Sequence, residues 1–209
     1  MSCKEMTLFY SPASPFARKV IVLLHETRQL DNVELFDVQL SPVSPSGDVI
    51  ARNPSGKIPA LELANGDTLH DSRVILDYLD HLHGGEPLIP RDGAARWQRL
   101  TLASLADAIL DAAILIRYET FLRPKELHWP TWLDAQQEKI ERGLAELETQ
   151  AASDRLQCFD IASICIACAL GYLDFRQPQL GWRARFACLA SWYEDVSQRE
   201  SMRSTQPPA

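Results

Sequence analysis

The chain has 209 residues, 46% of them hydrophobic and 23% charged, and a net charge of −7. That length holds one large domain or two modest ones, with the composition of an ordinary globular protein. The acidic balance argues against a nucleic-acid-binding surface, and no apolar run approaches the ~20 residues of a membrane span. The amino terminus, M-S-C-K-E-M, lacks the apolar stretch of a secretion signal. Five cysteines are an odd number and poorly spaced for a disulfide framework, so the expected compartment is the reducing cytoplasm.

Met6 to Tyr10 is short and apolar and stops at Ser11-Pro12, which predicts a buried strand. Ser14-Pro15 follows, a helix cap and a first helical position where proline's missing N–H costs nothing. Phe16, Val20, Leu23 and Leu24 recur at helical spacing, predicting a helix to about Gln29. Asn32 to Leu40 reads as a second strand, and Ser41 to Gly47 as a loop ending in helix-start residues. Asn53-Pro54 and Ser55-Gly56 are turn dipeptides, so a tight bend precedes Lys57. A short strand, Ile58 to Leu63, is interrupted by Pro59, which cannot donate a ladder hydrogen bond. Asn65-Gly66 is a strong hairpin signal. Asp71 or Ser72 then opens a helix with Val74, Ile75, Tyr78 and Leu82 on one face, and Arg73 is spaced to pair with Asp77.

His83 to Pro90 has the composition of a linker. Beyond it only helical patterns remain. Arg91 to Arg123 is one long periodic stretch carrying Asp107 and Asp111 four residues apart, which read either as a solvated stripe or, with so few polar neighbours, as part of a subunit interface or cleft. Thr131 to Ala152 is amphipathic. Asp160 caps a helix that is apolar through Leu173, with Ser163 at the third helical position. Cys165 and Cys168 have redox-motif spacing but lie in an apolar helix without partner ligands, so they read as core. Pro207-Pro208 suggests a frayed tail.

The stretch N-P-S-G-K-I-P-A-L at Asn53–Leu61, followed by a strand, a turn and D-S at Asp71-Ser72, resembles the glutathione site of cytosolic glutathione S-transferases. Both ends of the chain, S-P-F-A-R-K and Q-R-E-S-M-R-S-T-Q-P-P-A, resemble the YibF-type bacterial subfamily of glutathione-transferase-like proteins, as does A-C-A-L-G-Y-L-D-F-R. The resemblance implies an α/β thioredoxin-like domain over 1–83 (βαβ then αββα), a linker at 84–91 and an all-α domain over 92–209. It implies a cis Ile58-Pro59 bond, with the Ile58 backbone pairing with the cysteine of glutathione. Phe16, Lys57, Pro59, Asp71 and Ser72 would complete the binding set, Lys57 at the glycyl end and Asp71-Ser72 at the γ-glutamyl end.

Ser14 carries the chemistry in this reading, with Ser11 as the alternative because some classes place their serine directly after the first strand. Most serines before proline at a helix start are only caps. The same geometry can serve an anion, since a hydroxyl at the positive end of a helix donates to charge placed there. A free thiol has a pKa near ~8.5, and lowering it by about two units takes roughly 2.7 kcal/mol of preferential anion stabilisation. With serine and not cysteine at position 14, mixed-disulfide chemistry through this residue is excluded.

The resemblance further implies that Asp107 and Asp111 reach glutathione bound by the other subunit of a homodimer. It places Arg117, Tyr118 and Arg123 near a pocket for a hydrophobic co-substrate. Arginines there suit an acidic co-substrate, or are held by Glu119 or Glu126. The expected function is that of a glutathione transferase, activating the thiolate for attack on an electrophile or for peroxide reduction. Glutathione is the expected co-substrate, and no metal, membrane or nucleic-acid partner is expected. The alternative is a non-catalytic binding or regulatory protein on the same scaffold, like the transferase-like regulators that contact RNA polymerase.

Overall fold

The computed structural model describes residues 5–153 and 155–208. The chain divides into two compact units, Met1–Ile89 with Glu200–Ala209, and Pro90–Arg199. The sequence pattern assigns the last ten residues to the helical part, whereas they join the first unit.

In the first unit β1 (Met6–Tyr10) is followed by α1 (Pro15–Glu26) and β2 (Val33–Asp37), and β1 and β2 pair in parallel. After α2 (Gly47–Arg52), β3 (Ala60–Glu62) and β4 (Thr68–His70) form the hairpin that Asn65-Gly66 predicts. Gly66 adopts φ +86°, which a side chain would resist. The sheet order is β2-β1-β3-β4, with β3 antiparallel to both neighbours, and α3 (Ser72–Leu82) packs beside α1. This is the mixed-sheet βαβ-αββα arrangement anticipated above.

Three boundaries are tighter than their patterns. β3 begins only after Pro59, since proline removes the donor that would extend the ladder. α1 stops at Glu26 because Arg28 turns to φ +56°, and the buried Gln29 amide then donates to the Leu79 carbonyl (3.0 Å). The expected linker is no free tether over its first half. Asp80, fully buried, accepts from the backbone N–H of Leu88 (2.8 Å) and Ile89 (3.1 Å), and lies 3.1 Å from His83 Nε2. The C-terminal residues are held similarly. Buried Arg18 donates to the Met202 carbonyl (2.9 Å) and to Thr205 Oγ1 (3.3 Å), and Ser201 bonds to Glu26, so the chain is anchored up to Thr205.

In the second unit α4 (Gly93–Phe121), α5 (Pro130–Ala152) and α6 (Ile161–Arg176) are followed by α7 (Trp182–Arg185) and α8 (Ala187–Ser197). Every residue of α6 from Ile161 to Leu173 is buried, Cys165 and Cys168 included, as expected of a helix apolar on all sides. Asp160 caps it by accepting from Ala162 N (3.0 Å) and Ser163 N (3.2 Å). Ser163 does not reach back to the cap; its hydroxyl donates to the Cys158 carbonyl (2.7 Å). Burial pushes the Asp160 carboxyl up, against the pull of the Arg99 guanidinium 2.8 Å away. Among the described residues no helix is long and apolar enough to cross a membrane.

Gly143 lets α5 close on α4. A Cβ there would stand 2.7 Å from Ile109 Cγ1 and 2.8 Å from Cδ1, and Ile109 is 1% exposed. Overpacking of that kind outweighs the gain in helix propensity. Gly143→Ala is expected to lower the stability by about 1–2 kcal/mol, read as a lower denaturation midpoint at unchanged slope.

Candidate glutathione site and its relatives

The register of the sheet brings the predicted residues of the first unit together. Phe9 lies opposite Ala60, and Ala60 opposite His70. Within two residues of that row, β1 leads through Tyr10 to Ser11, β3 is entered through Ile58-Pro59, and β4 exits into Asp71-Ser72. Ser11, Ile58, Pro59, Asp71 and Ser72 therefore emerge at one end of the sheet, where the turn after Ser11 also starts α1 at Ser14.

Ser14 is the cap of α1: its Oγ accepts from Ala17 N (3.2 Å), and its own N–H donates to the Ser11 carbonyl (2.9 Å). The capping role is thus real, and it uses the oxygen lone pair while leaving the hydroxyl hydrogen to donate elsewhere. Phe16, half-buried, carries the ammonium of Lys19 4.9 Å from its ring centroid. Lys19 is itself fully buried.

The loop before β3 is built on Asn53, which is 2% exposed. Asn53 Nδ2 donates to the Lys57 carbonyl (2.7 Å), while Oδ1 accepts from Ser55 N (3.0 Å) and Ser55 Oγ (2.8 Å). Its backbone closes α2 through Val49 and receives Gly56 N (2.8 Å). The Ile58-Pro59 bond is cis, Pro59 is buried and Lys57 exposed. Among the described residues no hydrogen bond uses the N–H or C=O of Ile58.

Asp71 and not Ser72 caps α3, from a backbone at φ +68° that non-glycine residues rarely adopt. Its carboxylate accepts from Arg73 N (2.9 Å) and Nε (3.0 Å) and closes a second contact with Arg73 Nη2. The Arg73 side chain, with help from Lys19, holds the Asp71 carboxyl at about 2 against the cost of partial burial. Arg73, spaced to pair with Asp77, closes this bracket on Asp71 two residues before it. Ser72 is buried at the start of α3.

The other candidates lie on α4 of the second unit. Asp107 is buried and Asp111 exposed, so the two acids do not form one solvated stripe. Arg123 pairs with Glu119 (3.0 Å), whose other oxygen accepts from Trp129 N (3.0 Å). Arg117 is stacked on the Phe121 ring, 3.6 Å from its centroid, and Arg176 of α6 on Phe175 at 3.7 Å. Burial pushes the hydroxyls of Tyr118 and Tyr172 up, the latter to about 12. Among the described residues no group of three or more His, Cys, Asp or Glu side chains could hold a metal ion.

A model of the glutathione S-transferase N-terminal domain matches residues 8–87, and one of the C-terminal domain matches residues 130–195. The uncharacterized GST-like protein YibF of Escherichia coli (strain K12) is 33% identical over 205 residues, 97% of this chain and 99% of that one. The chain belongs to the glutathione S-transferase family. A solved glutathione transferase family member from Pseudomonas fluorescens Pf-5, with bound glutathione, is 60% identical, with a TM-score of 0.96 over 98% of this chain and all of that one. A second structure from that source, with bound S-(propanoic acid)-glutathione, has a TM-score of 0.91, with 97% of this chain and 100% of that one covered. Another, from Methylobacillus flagellatus with glutathione bound, is 35% identical, with a TM-score of 0.88 over 97% of this chain and all of that one.

Sequence reasoning passed over Lys19, the locking role of Asn53, Tyr172 and Arg176. Asn53 had a local signal, an Asn followed two residues later by Ser, the spacing of an Asx turn. The others depend on contacts between elements. Because the Asp71 carboxyl is held below its ordinary value, its contribution to stability is present above about pH 4 and is lost as pH falls toward about 2. Asp71→Asn removes that titration, so the stability gap between wild type and variant is expected to narrow between about pH 4 and 2 in acid-unfolding curves.

Proposed function

We propose that this family member binds glutathione at the end of the sheet in its first unit and activates the thiol for attack on an electrophile. The observation that carries the reading is the convergence there of an unused strand-like backbone at Ile58, the ionised Asp71 and the Ser14 cap. In this reading the Ile58 N–H and C=O pair with the cysteine backbone of glutathione, as an added strand would. Asp71 and Ser72 take the γ-glutamyl end, and Lys57 the glycyl carboxylate. Pro59 and Phe16 wall the site.

Ser14 donates its hydroxyl hydrogen to the thiolate at the positive end of α1, with Ser11 as the alternative donor. The thiol proton leaves to solvent, the sulfur attacks the electrophilic carbon, a C–S bond forms and the leaving group departs with its electron pair. With a peroxide, two glutathione molecules are oxidised to the disulfide as the O–O bond is reduced. A bound glutathione thioether in a 60% identical neighbour supports the transfer reaction. Asp107, Asp111, Arg117 and Tyr118 are proposed to serve the co-substrate or the other subunit of a homodimer, working in the cytoplasm. A second reading, a non-catalytic regulator, draws on a 24% identical relative, the stringent starvation protein A homolog of Coxiella burnetii, matched over 96% of this chain and 90% of that one.

Ultraviolet titration of the thiolate in the bound state separates the two. The enzyme reading expects a thiol pKa about two units below the free value of ~8.5, and Ser14→Ala returning most of that shift with glutathione affinity changed less than about threefold. A bound thiol with the free pKa, unaffected by Ser14→Ala, rejects the serine mechanism and favours the regulator.

A further inference from the structure

The C-terminal segment holds a buried cation of α1 through neutral acceptors. Arg18 is 6% exposed, and its guanidinium donates to the Met202 carbonyl (2.9 Å) and to Thr205 Oγ1 (3.3 Å). Among the described residues Arg18 is in no ion pair. An arginine so buried is ordinarily matched by a carboxylate, whereas a carbonyl and a hydroxyl leave its charge uncancelled.

Fastening the segment does not by itself call for a cation. Ser201 already bonds to Glu26 near the other end of α1, Ser204 Oγ lies 3.4 Å from His25 Nε2, and Met202 is 1% exposed. Replacing a buried charge by an apolar side chain of similar size is often neutral or stabilising, so packing alone gives no reason for a guanidinium here.

The place of Arg18 on α1 gives one. Its N–H donates to the Ser14 carbonyl (3.0 Å), the first hydrogen bond of the helix. Helical side chains lean toward the N-terminus, so the Arg18 stem covers the turn that Ser14 opens. That turn is where the proposed mechanism puts the glutathione sulfur, and the helix dipole is positive at the same end. A unit positive charge about 10 Å from a thiolate in partly buried surroundings lowers the thiol pKa by roughly half a unit to one unit.

We infer that Arg18 is a positioning residue for the thiolate, adding its charge to the start of α1 without touching the substrate, and that the C-terminal segment anchors it through neutral acceptors so that this charge stays available. This role of Arg18 rests on the function proposed above. Thr205 is then where the charge is kept or cancelled, because a carboxylate in its place would neutralise the guanidinium while holding it more firmly.

Ultraviolet titration of glutathione bound to the full-length protein, compared across Arg18→Met, Arg18→Lys and Thr205→Asp, separates charge from anchoring. Arg18→Met keeps the apolar stem and removes the charge. Arg18→Lys keeps the charge and loses the fork, and Thr205→Asp cancels the charge and keeps the anchor. The bound thiol pKa is expected to rise by at least about half a unit in Arg18→Met and in Thr205→Asp, and to stay near the wild-type value in Arg18→Lys. The melting temperature of Thr205→Asp is expected to hold or rise, so this variant reads the charge even if Arg18→Met does not fold. A thiol pKa left at the wild-type value in folded Thr205→Asp or folded Arg18→Met, or raised in Arg18→Lys as far as in Arg18→Met, overturns the inference. A wild type that lowers the thiol pKa but is indifferent to these changes rejects only the role of Arg18. A wild type whose bound thiol keeps the free pKa, or that binds no glutathione, rejects the function proposed above and this role with it.

Discussion

The buried amide of Asn53 is the interaction on which the candidate glutathione site depends. One side chain spends its donor on the Lys57 carbonyl and its acceptor on both Ser55 groups, while its backbone ends α2 and receives Gly56. A buried amide whose nitrogen and oxygen are both bonded fixes a loop far better than solvated contacts do, because alternative conformations leave these polar atoms unpaired. The loop delivers Lys57, Ile58 and Pro59 to the sheet end at one orientation. Without that lock, a short β3 flanked by glycine and proline has little to set where its leading backbone points.

The same device recurs along the chain. Asp80 gathers the backbone that leaves α3, Asp160 opens the central helix α6, Arg18 fastens the C-terminal segment, and Glu148 takes the N–H groups of Cys188 and Leu189 at the start of α8. In each case a charged or amide side chain is directed at backbone groups that regular structure leaves unpaired.

Much of this architecture was legible because its signals are local. Proline after serine marked the start of α1, Asn65-Gly66 the β3–β4 hairpin, and Asp160 the capped entry to α6. The spacing of N-P-S-G-K-I-P to D-S marked residues that the sheet register does bring to one end. What escaped depends on space and not on spacing. Asp80 reaches eight and nine residues ahead, and Arg18 bonds to a carbonyl 184 residues away. Arg73 shows the limit of a local rule as well. Its spacing pointed ahead to Asp77, while the Asp71 backbone at positive φ sets a second carboxylate two residues behind it.

The central claim is that the loop locked by Asn53 is where glutathione binds. Calorimetric titration of glutathione into the wild type and into Asn53→Ala tests it most directly. The account predicts saturable binding by the wild type and at least about tenfold weaker binding by the variant, from the loss of preorganisation, at unchanged helical content. Equal affinity in a folded Asn53→Ala protein, or no binding by the wild type at millimolar glutathione, would contradict it.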